Sequence, residues 1–359
     1  MPFISFNSFG FNQQRQSGAA LIMALLIVAL ISVFALKASR DYQLNLARAE
    51  ARWHGAQARA YLIGAERLAV YFLQQDDPSI DSLQEEWAQP IPPFPVEGGR
   101  LLAEIHDASA RVNLNDLTAP LGADKAAGDH ERYNTNQRRF LRLLQSFEVF
   151  PIALEEAAAI LEAIIDWADS DNQPTGFFGA EADYYQSLDP PYRPANAAFT
   201  SVDELRLVRG VSPPLMQLLR PYLMALPAGS TPMNINTLPD QLLRTFNAKD
   251  VLVPLALEDV RLLREENIEY VTVEEFKNNS LWSSLIADPE GVNVDNTATA
   301  TQYFVVTTTV ALGQQRRTME SLLQREAGAE VSNITVVARR DLYDFTPAPF
   351  AAADEEQWQ

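Results

Sequence analysis

The stretch Arg15–Leu36, RQSGAALIMALLIVALISVFAL, decides how the rest of the chain is read. It opens on one positive charge and a glycine, and from Ala19 to Leu36 the only plainly polar residue is Ser32. Coiled at 1.5 Å per residue, that run makes a helix of about 27 Å, close to the apolar thickness of a bilayer. A cleaved secretory signal would be shorter and would end on a small-x-small pair, whereas Lys37-Ala38-Ser39-Arg40 follows here. A plain membrane anchor accounts for the length but not for the polar lead-in that stops at Gly18.

The helix is expected to continue well past Leu36. No proline occurs between Phe3 and Asp77, and Tyr61, Ala65, Leu68 and Phe72 recur at helical spacing. Arg48, Glu50, Arg52, Arg59 and Glu66 mark a wetter side. One helix to about Leu73 follows, ended by Asp77-Pro78, with the Tyr61/Leu68/Phe72 stripe expected to be buried against a sheet. After a loop holding Pro90, Pro92, Pro93 and Pro95, the period changes to two in RLLAEIHDASARVNLNDL, which reads as a strand, a turn at Ala108-Ser109 and a short second strand. From about Leu117 to Thr299 the pattern is helical with proline and asparagine breaks. Helices are expected over Gln137–Ser146, Leu154–Trp167, Val202–Arg209, Pro214–Ala225, Pro239–Phe246 and Leu257–Glu265. Alternation returns in QYFVVTTTVAL, with Phe304, Val306 and Val310 on one face, and persists through QRRTMESLLQRE and ITVVARRDL. Gly313-Gln314 reads as a hairpin turn, and Thr346–Gln359 as a disordered tail. Strands early and late imply one antiparallel sheet, interrupted by a helical layer and packed on the first helix.

Composition narrows the function. The chain of 359 residues carries 28 Lys+Arg against 47 Asp+Glu, a net charge of −19. So acidic a body repels phosphate backbones, and no nucleic-acid partner is expected. With no cysteine and only His54, His106 and His130, disulfides and thiolate zinc sites are excluded and histidine chemistry has little to work with. No nucleophile elbow, Walker loop, dinucleotide fingerprint or zincin motif is present, so no enzyme is expected.

Two segments stand out. DWADSDNQPTGFFGAEADYY, Asp166–Tyr185, puts Asp166, Asp169 and Asp171 within six residues at the end of a helix, with Gln173, Glu181 and Asp183 beyond. Asp-x-Asp-x-Gln is how an EF-hand loop begins, but Glu181 falls one residue late for its last ligand and the glycine is displaced. Clustered carboxylates repel one another and a helix C-terminus repels them further, costs that a hard cation removes. A calcium-organised loop and a solvated acidic loop both fit the spacing. The second segment, FTSVDELRLVRGVSPPLMQLLRPYL, looks like a helix-hairpin-helix around Gly210-Val211-Ser212. INTLPDQLLRTF resembles the opening of another. Ser212 stands where the second hairpin glycine would expose N–H groups to phosphate, so Leu205, Val208, Leu215, Leu218 and Leu219 read as core.

The lead-in and its helix resemble a type IV prepilin-like signal, in which a dedicated peptidase cuts after the glycine and the helix stays. That places the cut between Gly18 and Ala19. Most pilins and pseudopilins carry a glutamate at the fifth mature position to meet a neighbour's N-terminal ammonium; here it is Met23, which hints at a subunit with nothing above it. Nearly the whole chain resembles the K-type minor pseudopilin (GspK) family of bacterial type II secretion systems. The resemblance rests on Gly18-Ala19-Ala20-Leu21-Ile22, GAERLA at Gly64–Ala69, WAQP at Trp87–Pro90, RVNLNDL at Arg111–Leu117, DWADSDNQPTG, GAEADYY, PPYRPANAAF at Pro190–Phe199, DELRLVRGVS and NINT at Asn234–Thr237.

The resemblance implies an α+β fold: a pilin-like long N-terminal helix packed on an antiparallel sheet, carrying a large all-α (helix-hairpin-helix or SAM-like) insertion. It divides the chain into a leader (1–18), a membrane or fibre helix (19–36), the rest of that helix with the first strands (37–115), the insertion (116–300), the last strands (301–345) and the tail (346–359). It implies assembly with I-, J- and H-type minor pseudopilins and the major pseudopilin, processing by the prepilin peptidase, and an inner-membrane anchor with the C-terminal domain in the periplasm and later at the pseudopilus tip. It also implies one or two calcium ions, carried over onto Asp166, Asp169, Asp171, Glu181 and Asp183. Relatives commonly have an acid directly after the glutamate of GAE, where this chain has Ala182 and then Asp183. The other reading of the same features is a periplasmic adaptor held by an uncleaved helix.

Overall fold

The computed structural model describes residues 17–122, 124–227, 231–266, 268–313, 315–326 and 333–342. Most of the expected leader and the expected tail from Thr346 lie outside the described residues. The chain divides into one unit up to Ala60 and a second from Tyr61 onward. The first is the N-terminal part of helix α1, Ser17–Gln75. Every side chain from Ala19 to Leu36 is exposed, Leu21 through Leu36 included. A helix apolar all round has no wet face, and this one is long and apolar enough to cross a membrane.

The second unit begins with the last turns of α1. After Gln75 come strand β1 (Phe94–Val96) and strand β2 (Gly99–Asp107). The long middle segment then holds β3 (Val112–Asn113), α2 (Thr135–Gln145), α3 (Leu154–Ala168), α4 (Ala182–Gln186), α5 (Pro213–Leu219), β4 (Leu223–Met224), β5 (Met233–Asn234), α6 (Asp240–Leu243), α7 (Leu257–Glu266), α8 (Val273–Lys277), α9 (Trp282–Leu285) and β6 (Thr297–Ala298). The chain returns as β7 (Tyr303–Leu312), β8 (Gln315–Arg325) and β9 (Ile334–Leu342). The main sheet runs β1-β2-β7-β8-β9, antiparallel throughout. Asp107 pairs with Phe304 and Gly99 with Leu312, so β2 and β7 form one hairpin whose loop is the entire middle segment.

That segment is not purely helical. β3 pairs with β4 and β5 with β6, both parallel, because buried connecting backbone must find partners once water is gone. The expected helix Val202–Arg209 is a 3-10 turn over Val202–Leu207, and the one expected over Pro214–Ala225 stops at Leu219, just before Pro221. Leu205, Val208, Leu215 and Leu219 are core, as their spacing predicts, whereas Leu218 is half-buried at its margin. The core of this layer centres on α2 and α3, with Phe140, Leu141, Leu144, Leu161, Ile164 and Trp167 all buried.

The sheet is covered on both faces. On one, Ile105, Phe304, Val306 and Leu323 meet Ala69 and Leu73 of α1 and the ring of Trp87, which stands edge-on to Phe304 at 5.3 Å. On the other, Val305 and Tyr303 meet Leu226 from the middle segment. The stripe that α1 buries differs from the one its sequence predicts. Leu62, Ala65, Ala69 and Leu73 are buried, whereas Leu68 and Phe72 are 55% and 44% exposed and Tyr61 is half-buried. Alanines let the helix approach the strands closely, and the polar contact rides on the same stripe. Glu66, expected on the wet side, is 1% exposed, accepting Ser321 Oγ at 2.6 Å and Arg339 Nε and Nη2 at 2.6 and 2.8 Å.

A second buried polar knot joins the sheet to the middle layer. Asp81 takes both oxygens to Arg325 Nη1 (2.8 and 2.6 Å) and accepts the Thr301 N–H at 2.6 Å. Asp107 accepts from the Ser109 and Ala110 N–H groups and the hydroxyls of Thr237 and Thr301. These contacts hold the two ends of the middle segment at the mouth of the β2–β7 hairpin.

Candidate metal centre

Helix α3 delivers the first carboxylate. Asp166 lies in its last turn and is fully buried, and Asp169 is the residue at which the backbone leaves the helix. The chain then loops out and returns to Glu181, which precedes α4. One oxygen from each of Asp166, Asp169 and Glu181 lies within 4.8 Å of the others. Asp166 is 0% and Glu181 5% exposed, yet among the described residues Asp166 Oδ2, Asp169 Oδ1 and both oxygens of Glu181 have no hydrogen-bond partner.

Such an arrangement is costly without a cation. At an effective dielectric near 20, two carboxylate charges this close repel by roughly 3 kcal/mol. Burial, followed by the charges of Asp166, Asp169 and Asp171, pushes the Glu181 carboxyl up to about 7. Burial raises Asp166 and Asp169 as well, each also facing acidic neighbours. Three oxygen anions with free lone pairs and no histidine or sulfur are the donor set of a hard cation, and the larger, more adaptable calcium shell suits carboxylates on a loop better than magnesium's.

The surrounding backbone fixes the cluster. The Thr175 N–H donates to Asp166 Oδ1 at 2.8 Å. Asn196, in the left-handed region at φ 44°, donates its N–H to Trp167 O at 2.9 Å, meeting a carbonyl that α3 leaves open, and its Nδ2 to Asp171 O at 3.1 Å. Tyr185 packs edge-on against Trp167 at 5.3 Å and anchors the return of the loop.

Of the five residues carried over from the resemblance, three converge. Asp171 is exposed and accepts the Gln173 N–H at 2.7 Å, its charge bearing on the cluster from the side. Asp183 is exposed in the first turn of α4, outside the cluster. Reading the sequence missed Glu162, which lies on the same face of α3 one turn before Asp166. Its charge inside the run AAAILEAIID was the available signal. In a second carboxylate group, Asp76, Asp81 and Glu85, a cation is already in place: the Arg325 guanidinium pairs with Asp76 and Asp81, while Glu85 accepts from the Ser82 N–H and Trp87 Nε1. The processing pair is placed only in part: α1 is already helical at Gly18 and Ala19, and Ala19 is exposed.

The comparisons with known proteins concern the same residues. A family model for type II secretion system (T2SS), protein K, matches residues 110–228, which hold this loop. Type II secretion system protein K of Pseudomonas aeruginosa is 31% identical over 356 residues, covering 96% of this chain and 98% of that protein. The chain belongs to the type II secretion system protein K family. It is a minor pseudopilin of that system. The Aeromonas hydrophila protein K is 39% identical over 232 residues, 64% of this chain and 69% of its own length. The fold is shared with a chain in the crystal structure of the GspK-GspI-GspJ complex from enterotoxigenic Escherichia coli, with a TM-score of 0.68 at 22% identity over 82% of this chain and 99% of that one.

Proposed function

We propose that this minor pseudopilin caps the pseudopilus tip and primes fibre assembly for the export of folded proteins across the outer membrane. The observation that carries the reading is the bulk held between β2 and β7. One helix and a five-stranded sheet would repeat along a thin fibre, but a layer running from Val112 to Ala298 would not. Met23 supports the same placement, since a subunit with nothing above it has no ammonium to neutralise. The solved relative's complex with GspI and GspJ supports I- and J-type minor pseudopilins as neighbours. An H-type subunit and the major pseudopilin complete the set of partners.

In this reading the prepilin peptidase cuts between Gly18 and Ala19, and the exposed apolar helix first anchors the chain in the inner membrane, with the remainder in the periplasm. Leaving the bilayer requires that helix to trade lipid for neighbouring subunits' helices, because its apolar side chains find no cover within their own unit. Calcium, held by Asp166, Asp169 and Glu181, supplies the positive charge that the acidic loop lacks. The role is structural; no residue is assigned to catalysis.

Processing separates a pseudopilin from an adaptor on an uncleaved anchor. Mass mapping of the N-terminus of the membrane-extracted protein should give a chain starting at Ala19 when the peptidase is present and the full chain when it is absent. Gly18→Val should leave the precursor uncut; a Gly18→Val chain of unchanged mature mass would refute processing at this site.

A further inference from the structure

We propose that Glu162 and Arg132, neither of which belongs to the three-oxygen cluster, set the metal centre's geometry before any cation arrives by clamping the loop between Asp171 and Glu181 against α3. The inference rests on reading that cluster as a cation site. Gathering three carboxylates without metal is opposed by their mutual repulsion, so something independent of the metal has to hold the loop shut. Glu162 is placed to do so. It is 3% exposed, its Oε2 accepts the Phe178 N–H at 2.6 Å, and its Oε1 accepts the Arg132 guanidinium. Arg132 is itself nearly buried and donates through Nη1 to Lys125 O at 2.6 Å. The charge of Glu162 is therefore matched within the protein and makes no demand on a cation.

One helical turn further on, Asp166 grips the same loop through the Thr175 N–H. Two carboxylates four residues apart on α3 thus hold two points of the loop, and Asp166 keeps its second oxygen free to face Asp169 and Glu181. The fit between those points is tight. Gly176, at φ +66°, lies against the Glu162 carboxylate and Arg132, and Gly179 against Asp166 Oδ2, so a Cβ at either place would strike those groups. From the outer side the Arg209 guanidinium donates to the Phe178 and Gly179 carbonyls, both at 3.4 Å. Glu162 and Arg132 are positioning residues: they act on the cation through the loop.

The test uses the detergent-solubilised full chain. Hydrogen exchange in excess chelator should find the Phe178 amide protected. Calorimetric titration with calcium should find Glu162→Ala weaker than the unaltered chain by about 10–100-fold, the range usual for partners that orient metal ligands. Glu162→Gln, which keeps an oxygen for the Phe178 amide but turns an NH2 group toward Arg132, should recover only part of that loss. A Phe178 amide that exchanges freely until calcium is added would overturn the inference, since the metal would then be folding the loop, and this measurement needs no variant that might misfold. Unaltered affinity in Glu162→Ala would do the same. An unaltered chain that binds no calcium would remove the metal reading itself and this inference with it.

Discussion

Glu181 stands where a helix normally takes its cap, with extended backbone at φ −101°, yet its carboxylate makes no bond to the N–H groups of α4. It turns instead to Asp166 and Asp169, giving up a favourable contact for an unfavourable one unless a cation is present. Calcium should therefore stabilise the full chain by mass action, by about 4 kcal/mol at a thousandfold excess over Kd. Asp169→Ala should abolish most of the rise in melting temperature; the check is differential scanning calorimetry with calcium and with chelator. Glu66 shows the opposite electrostatic outcome. Burial alone would raise its carboxyl, but hydrogen bonds from Arg339 and Ser321 and the charge of Arg339 outweigh it and hold it below its ordinary 4.5. The folded state then binds its proton less readily than the unfolded chain. The contribution to stability is complete above pH 4.5 and is lost as pH falls through the lowered folded value. Glu66→Gln should cost roughly 1–2 kcal/mol at neutral pH, because Arg339 is half-exposed and keeps its water. Urea titrations should also find a shallower acid limb in the variant than in the unaltered chain.

At the scale of elements, α2 explains how a layer with so much irregular backbone stays ordered. Its sequence, TNQRRFLRLLQ, looks amphipathic, yet Arg138, Arg139 and Arg142 are all buried. Among the described residues none pairs with a carboxylate; each donates to backbone carbonyls. Arg139 reaches Asp295 O at 2.7 Å and lies 4.5 Å over the Phe246 ring. Arg142 bonds Thr245 O, Ala248 O and Val251 O at 2.6–2.9 Å. Burial lowers the pKa of both guanidiniums to about 9, which still leaves them charged at neutral pH. One arginine thus satisfies three carbonyls of a turn that has no ladder of its own. Arg142→Ala leaves those acceptors buried without partners and should cost about 3 kcal/mol or more. Hydrogen exchange should quicken first around Thr245–Val251; exchange that stays as slow there as in the unaltered chain would contradict this role.

For the whole molecule, the decisive feature is that a two-strand hairpin carries a domain-sized loop. Asp107 and Phe304 are paired neighbours although the middle layer lies between them in sequence. The sheet can therefore keep its face for α1 while the middle layer takes the other. In the proposed tip placement this separation leaves the α1 face to the fibre and spares the added layer from repeating along it. Gold labels on the middle layer should mark one end of isolated pseudopili; labels spaced evenly along the fibre would refute the cap. Met23→Glu should leave assembly largely intact, read as the yield of the complex with other minor pseudopilins, because at the tip the new carboxylate has no ammonium to meet.

Local chemistry alone determined the apolar helix, the three long late strands, helices α2 and α3 and the acidic loop. Each has a periodicity or charge pattern complete within one segment, so Phe304, Val306 and Val310 could be assigned to one buried face directly. The family was also legible, because runs such as DWADSDNQPTG and PPYRPANAAF combine many local requirements at once. What only the tertiary structure decided depends on the partner across a contact. Tyr61, Leu68 and Phe72 form a bulkier stripe on α1, but the sheet accepts Leu62, Ala65, Ala69 and Leu73, because close approach and the Glu66–Arg339 pair favour the stripe that carries the alanines. Asp171 and Asp183 carry the same carboxylate group as the three residues that converge, and only the return path of the loop leaves them outside. Glu162 and Arg132 are 30 residues apart, and no spacing rule joins them. Side chains that act through distant partners leave little trace in their own segment, since the constraint they answer is set elsewhere in the chain.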